Sequence, residues 1–389
     1  MNRHTPPHTI TLVLAAAVGA MATNTFLPSL PGMAREFAVP YATVGLLVSV
    51  FLAANAVLQL VIGPLSDRYG RRPVMVGALA VFVASTFASL FATDMATLLS
   101  LRVLQASSAA GMALSRAIVR DTGDTEGAAS RIGYITMGMT VAPMIGPMIG
   151  GALDGTFGWR GSFGVMLAVG VAALAAVWFD LGETNDNPSD GFARQFKAWP
   201  RLLKSLPFWS LALTSGFTGG VYFAFLGGGP AVASNLLAMT PGEFGAMLVF
   251  IGIGYMAGNF ISGRFSRRIG ISGMMFAGNL VNALGILIAG GLAFAGATHP
   301  LALFMPLVFL GLGNGLTLPS AGAGLVSIVP ELAGSASGLG GALQIAVSAV
   351  MSVVAGIVVG SGETALPLLA LMLASTLAAL ACTALARWG

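Results

Sequence analysis

Twelve long apolar stretches, separated by short polar or charged breaks, dominate the pattern along the chain. They lie near 9–33, 42–65, 73–93, 97–119, 132–154, 160–182, 207–233, 243–263, 272–296, 301–326, 334–360 and 364–386. Each is long enough to cross a bilayer, whose hydrocarbon core of about 30 Å needs about 20 helical residues. The stretches are continuously apolar rather than alternating, so they predict helices and not barrel strands. Glycine and proline inside them are compatible with membrane helices, and Gly146-x-x-x-Gly150 offers a small-residue face for close packing. The expected fold class is an all-α integral membrane protein with 12 transmembrane helices.

One polar break is longer than the rest. Glu183 to Lys204 contains Asn185, Asp186, Asn187, Pro188, Ser189 and Asp190, and it divides the spans six and six. An internal repeat supports that division: Gly63-x-x-Ser66-x-Arg68-x-Gly70 recurs as Gly263-x-x-Ser266-x-Arg268-x-Gly270, displaced by 200 residues. The expected organisation is a bundle over 1–182, a linker over 183–204 and a second bundle over 205–389. Two such halves suggest a pseudo-two-fold arrangement around a central site.

Composition removes the soluble alternatives. With 56% hydrophobic and 8% charged residues, the chain lacks the polar surface that a folded exterior in water requires. The net charge of +4 comes from cations in short loops, with no basic run interleaved with stacking aromatics, which excludes a nucleic-acid surface. Fifteen Lys and Arg fall on one side and only Arg35 and Arg160 on the other, so both termini are expected in the cytoplasm. Trp159, Trp178, Trp199, Trp209 and Trp388 fall near span ends, as interfacial anchors do. Arg3, the apolar run and Ala20-Met21-Ala22 imitate a cleavable secretory signal, but the run continues through Asn24 to Leu30, which suits a retained first span. The lone Cys382 and the scattered His4, His8 and His299 show no metal-ligand spacing, so neither metal nor cofactor is expected. No nucleophile with an adjacent base and no phosphate loop points to an enzyme.

The sharpest local signal joins the second and third spans: Gly63-Pro64-Leu65-Ser66-Asp67-Arg68-Tyr69-Gly70-Arg71-Arg72-Pro73. Gly63 and Gly70 permit close approach and a tight turn, and Asp67 can pair with an arginine or a helix N-terminus. Arg71 and Arg72 also serve as ordinary positive-inside residues. Further motifs are Leu27-Pro28-Ser29-Leu30-Pro31, Arg102-x-x-Gln105, and Ala142-Pro143-Met144-Ile145-Gly146-Pro147 continuing to Gly150-Gly151. Together these resemble the major facilitator superfamily and, within it, the twelve-span drug:proton antiporters of the bicyclomycin and chloramphenicol resistance (Bcr/CflA) type. Gly228-Gly229-Pro230 and Gly334-Ser335-Ala336-Ser337 extend the resemblance through the chain.

The resemblance implies two six-helix bundles around a central cavity, and export of drug-like molecules across a bacterial inner membrane in exchange for protons. It implies a cytoplasmic latch of Asp67, Arg71 and Asp121 facing the N-terminus of the eleventh span. Gly63, Arg68, Gly70 and Arg72 of the loop would take part in gating, with Pro143, Gly146 and Pro147 of the fifth span. Arg267 stands where the repeat would need an acid, so the latch is expected on one half only. Many relatives carry an Asp in the first span where this chain has Asn24, which cannot titrate. Either a gate carboxylate carries the proton or transport is uncoupled.

Arg102 is the one strongly basic residue well inside a span, where a charge costs about 2.5–3.5 kcal/mol. With Gln105, Ala109, Met112 and Arg116 it follows helical spacing, which predicts a face turned to a polar interior; the competing reading is that Arg102 snorkels to the headgroups. Other intramembrane candidates for contact with a small-molecule substrate are Asn24, Phe26, Asn55, Gln59, Tyr222, Phe225, Tyr255, Asn259, Asn314 and Gln344. Ser337, Gly341, Gln344 and Ser348 line one stripe of the eleventh span. For any one of these, hydrogen bonding between helices competes with ligand contact. Asn279 and Asn282 are expected to serve packing. An aromatic and methionine-rich pocket suits bulky, moderately apolar cargo, drug-like or an endogenous metabolite. Two halves within one chain enclose a path, so a lipid-embedded monomer is expected.

Overall fold

The computed structural model describes residues 7–122, 135, 142, 145–185, 199–328, 333–360 and 364–385. These are helices and short connections, with no strand among the described residues. Ten helices among them are long and apolar enough to cross a membrane. The fourth predicted span is interrupted: Met95–Gln105 and Ala109–Thr122 flank a 3-10 turn at Ala106–Ser108. The fifth is described as helix over 145–157. The described residues therefore fit twelve spans.

Local chemistry explains where the helices begin, bend and end. The first span is helical over Thr9–Asn24, tightens at Leu27–Ser29 and resumes over Leu30–Glu36, three residues past its expected end. Pro28 and Pro31 sit in the first turns of the last two pieces, where a missing amide costs nothing. Asp94 caps Met95–Gln105 by accepting from the Thr97 amide at 2.8 Å. That amide and the Thr97 hydroxyl hold the Asp94 carboxyl below the usual carboxylate range. Thr240 and Glu243 form a reciprocal capping box at the start of the eighth span. Pro64, Pro230 and Pro319 lie inside helices, as lipid-embedded spans permit.

The 200-residue repeat has a structural counterpart. Gly70 ends the second span, Tyr41–Tyr69, and opens the third, Arg71–Ser89; its φ of 98° and ψ of 153° favour glycine. Gly270 does the same between Val249–Ile269 and Ile271–Phe294, with φ 78° and ψ 163°.

Buried hydrophobic side chains form three clusters. The largest draws on residues 12–181 with Leu226 and Ala349 added from later spans. The other two draw on residues from 202 onward, one around Phe225, Phe244 and Phe304 and one around Phe208, Leu211 and Met275.

One expected interfacial anchor is a packing residue. Trp159 is buried against Phe37 and Phe163, and its indole donates to Glu36 Oε2 at 2.9 Å. Arg160 donates to the other Glu36 oxygen at 2.7 Å and to the carbonyls of Leu90 and Ala92. These bonds tie the ends of the first and third spans to the start of the sixth.

Candidate functional site

At the end of the second span, Arg71 joins three elements. Its Nε donates to Asp121 Oδ2 at 2.9 Å, from the third span to the end of the fourth, and its Nη1 reaches Asp67 and Ser66. Arg71 is 5% exposed, so its charge is neutralised locally rather than by water. Arg72 donates to the carbonyls of Leu181 at 2.8 Å and Trp178 at 3.1 Å, at the C-terminal end of the sixth span. Arg68 is exposed over the Tyr69 ring instead of joining the cluster. Gly70 meets the close approach expected of it, whereas Gly63 has open space around it and contributes its carbonyl, which accepts from Ser66.

Glu183, which the sequence reading left in the linker, completes this cluster. Its Oε1 accepts from the Arg71 amide at 2.8 Å and its Oε2 from the Arg72 amide at 3.2 Å, so a carboxylate caps the third span. Its Oε1 also accepts from the amides of Thr184 and Asn185. Asn185 then donates to the Asp67 carbonyl at 2.8 Å. The start of the linker is thereby bound to the charged loop. The Arg267 side chain, Pro143 and residues 329–332 before the eleventh span lie outside the described residues, and with them the one-sided latch and its eleventh-span partner.

The fifth span makes close contacts on two sides. Gly146 and Gly150 lie against Thr25 of the first span, and a side chain at 150 would overlap the Thr25 carbonyl. The Pro147 carbonyl lies against Gly245, and Gly151 lies against the Pro241 carbonyl, both in the eighth span. The fifth-span motif thus joins the first six spans to the second six.

The interior separates the predicted contact residues into two groups. Arg102 and Gln105 are fully buried within the first six spans, contrary to the expected polar interior face. The Arg102 guanidinium lies between the rings of Phe26, at 4.5 Å, and Phe51, at 4.3 Å. It donates to the carbonyls of Leu47 and Ala22 at 3.0 Å each and to Gln105 Oε1 at 2.8 Å. Carbonyls and ring faces therefore compensate a charge that neither snorkels nor opens to a cavity. Asn24 is buried and donates to the Ala20 carbonyl at 3.3 Å. Phe225 is enclosed by Phe244 and Phe304, and Asn314 is paired with Asn282 at 3.2 Å. Asn24, Phe26, Arg102, Gln105, Phe225 and Asn314 are packing residues in this structure. Asn279 bridges Thr218 and the Met275 carbonyl, the packing role expected for the ninth span.

The second group keeps partial access: Gln59, Met112, Tyr222, Tyr255, Asn259 and Gln344. Asn55 is buried but accepts from Gln59 Nε2 at 3.0 Å, which orients that side chain. Gln59 lies against Gly341 of the eleventh span, and Gln344 against Gly219 of the seventh. Tyr222 packs against buried clusters of both sets of spans. Arg116, assigned to a loop in the charge count, lies inside the fourth span, exposed and within electrostatic reach of Tyr255 across the interface.

Comparison with known proteins identifies the arrangement. Residues 12–237 match the family model described as Major Facilitator Superfamily. The chain belongs to that superfamily. It is similar to Multidrug resistance protein D of Escherichia coli (strain K12), with 26% identity covering 92% of this chain and 90% of that protein. It is 29% identical to the uncharacterised MFS-type transporter YdgK of Bacillus subtilis (strain 168), covering 93% and 90% of the two chains. Its fold matches a bacterial homologue of the human lysosomal transporter Spinster in an inward-facing, occupied conformation. That match has a TM-score of 0.75 at 17% identity and covers 98% of this chain and 95% of the other.

As a member of the Major Facilitator Superfamily the chain is a multi-pass membrane transporter rather than an enzyme. Gln59 against Gly341, Tyr222 against clusters of both sets and Arg116 within reach of Tyr255 place these side chains where the two sets of six meet. Amides, phenols and one guanidinium at such an interface can hydrogen-bond a cargo while the neighbouring methionine adapts to its shape. Helical spacing from Met112 had marked Arg116, whereas sequence reasoning missed Glu183, which nothing local marked.

Proposed function

We propose that this transporter exports small drug-like molecules by alternating access, in exchange for protons, across a bacterial inner membrane with both termini in the cytoplasm. Residues 1–182 and 205–389 act as two six-helix bundles of one monomer, and 183–204 links them. They rock about a cleft that includes Gln59, Met112, Tyr222, Tyr255, Asn259 and Gln344. The observation that carries the reading is the placement of these side chains, from both sets of spans, between a charged cluster at one end and glycine-mediated contacts at the other. A drug-like cargo is supported by the name of the Escherichia coli relative and by a cleft with aromatic, amide and methionine side chains.

Asn24 cannot carry a proton, so the coupling falls to the gate carboxylates Asp67 and Asp121. Protonation of either would weaken its hold on Arg71 and release the cluster. The test is flux of amphenicols, bicyclomycin and cationic dyes from efflux-deficient cells and in proteoliposomes, with and without an imposed pH gradient. Export that follows the gradient and is lost in Asp67→Asn is expected. Export unchanged after the gradient is collapsed would remove the coupling, and inertness to the whole panel would remove the drug-like cargo.

A further inference from the structure

At the end of the bundle opposite Asp67 and Arg71, a side chain bonds one half to the other. Tyr41, the first residue of the second span, donates its hydroxyl to the Gly227 carbonyl of the seventh span at 3.0 Å. Its ring packs against the buried clusters on both sides of the interface. The same hydroxyl lies beside the Ala231 amide, so it sits against the turn of helix from Gly227 to Ala231. That turn contains Pro230, which has no amide to offer the Leu226 carbonyl, one residue before the Gly227 carbonyl that Tyr41 engages.

The 200-residue repeat shows that this contact has an image. Position 41 corresponds to 241 and position 227 to 27. Pro241 opens the helix Pro241–Met247, which packs against the turn Leu27–Ser29 of the first span. The two halves are thus joined at this end by two pseudo-symmetric contacts, one through Tyr41 and one through the helix that Pro241 opens. Pro241 has neither hydroxyl nor amide to donate, so the directional bond of the pair belongs to Tyr41 alone.

We propose that Tyr41 is a clasp: its hydroxyl bond to Gly227 holds the two halves together at the outer end and must break for the transporter to open outward. This inference rests on the alternating-access reading but on no particular cargo. Tyr41 is a positioning residue, setting the balance between states without needing to touch what is carried.

The experiment uses the full chain in lipid nanodiscs in a Cys382→Ser background, since Cys382 is the only cysteine. Spin labels at Thr93→Cys and Thr298→Cys report the Tyr41 end from exposed loops of the two halves, and labels at Tyr69→Cys and Ile269→Cys report the opposite end. Tyr41→Phe keeps the ring and removes the donor. The ratio of long to short distances at the Tyr41 end should rise by roughly 2- to 12-fold, the factor that follows from losing one hydrogen bond. Distances at the opposite end should shift toward shorter values. Unchanged distributions at both ends would overturn the clasp, and so would broadening at both ends together, the mark of a packing defect. Because no cargo is added, a failed drug panel leaves this result standing.

Discussion

The carboxylate of Glu183 occupies the space that a side chain at position 70 would need, so Gly70 is required both by its backbone angles and by its neighbour. Gly70→Ala is expected to cost about 1–3 kcal/mol from the strained backbone, before the overlap with Glu183 is counted. The measurable result is a lower melting temperature of the detergent-purified protein and loss of flux. Adding Glu183→Ala should not restore either, because the backbone strain persists.

Glu183→Gln tests the cap itself. The amide can still accept from one backbone amide, but it removes the negative charge from the N-terminus of the third span. A cost of about 0.5–2 kcal/mol is expected. Proteoliposome flux is expected to slow while equilibrium binding of a transported dye is unchanged, because Glu183 ties the start of the linker to the charged loop.

Asp121→Asn leaves Arg71 with Asp67 and Ser66, and a cost of about 1 kcal/mol is expected for this partly exposed partner. Arg71→Met instead leaves Asp67 and Asp121 without their shared cation. Flux should be reduced in the first variant and absent in the second, at equal protein levels on an immunoblot.

Arg102 distinguishes bracing from cargo binding. Arg102→Lys supplies a point charge that cannot reproduce the flat stacking between Phe26 and Phe51 or the three bonds to Leu47, Ala22 and Gln105. A loss of about 1–3 kcal/mol is expected. Arg102→Met removes a buried charge whose Nη2 has no hydrogen-bond partner among the described residues. Thermal melts should therefore place the Met variant above the Lys variant, an order that a cargo contact would not produce.

Gly150→Ala is expected to destabilise by about 1–3 kcal/mol, because the added carbon meets the Thr25 carbonyl. Gly155→Ala, on the same helix with open space around it, serves as the control and should be neutral or better. Folded yield by size-exclusion chromatography reads both.

The spans, the tight loop at Gly70 and its copy at Gly270 were all legible in the amino-acid order. Apolar length, charge bias and glycine at a left-handed turn are local properties, and each survives whatever packs around it. The pairing of Arg71 with Asp121 was legible only through resemblance, since residues 50 apart in the chain carry no local sign of contact.

What the sequence determined by itself is a chain for which lipid is the only consistent solvent, divided by one polar break and a repeat into two sets of spans. What only the tertiary structure decided is which way each polar residue faces. Arg102, Phe225 and Asn314 looked like cargo contacts because a polar or aromatic residue within a span is conspicuous. Their rotation toward neighbouring helices, and the reach of Glu183 to the third span or of Tyr41 to the seventh, depend on how helices distant in sequence come to lie side by side. A helical period gives the residues that share a face, but the neighbour that meets that face is set by the packing of the whole bundle.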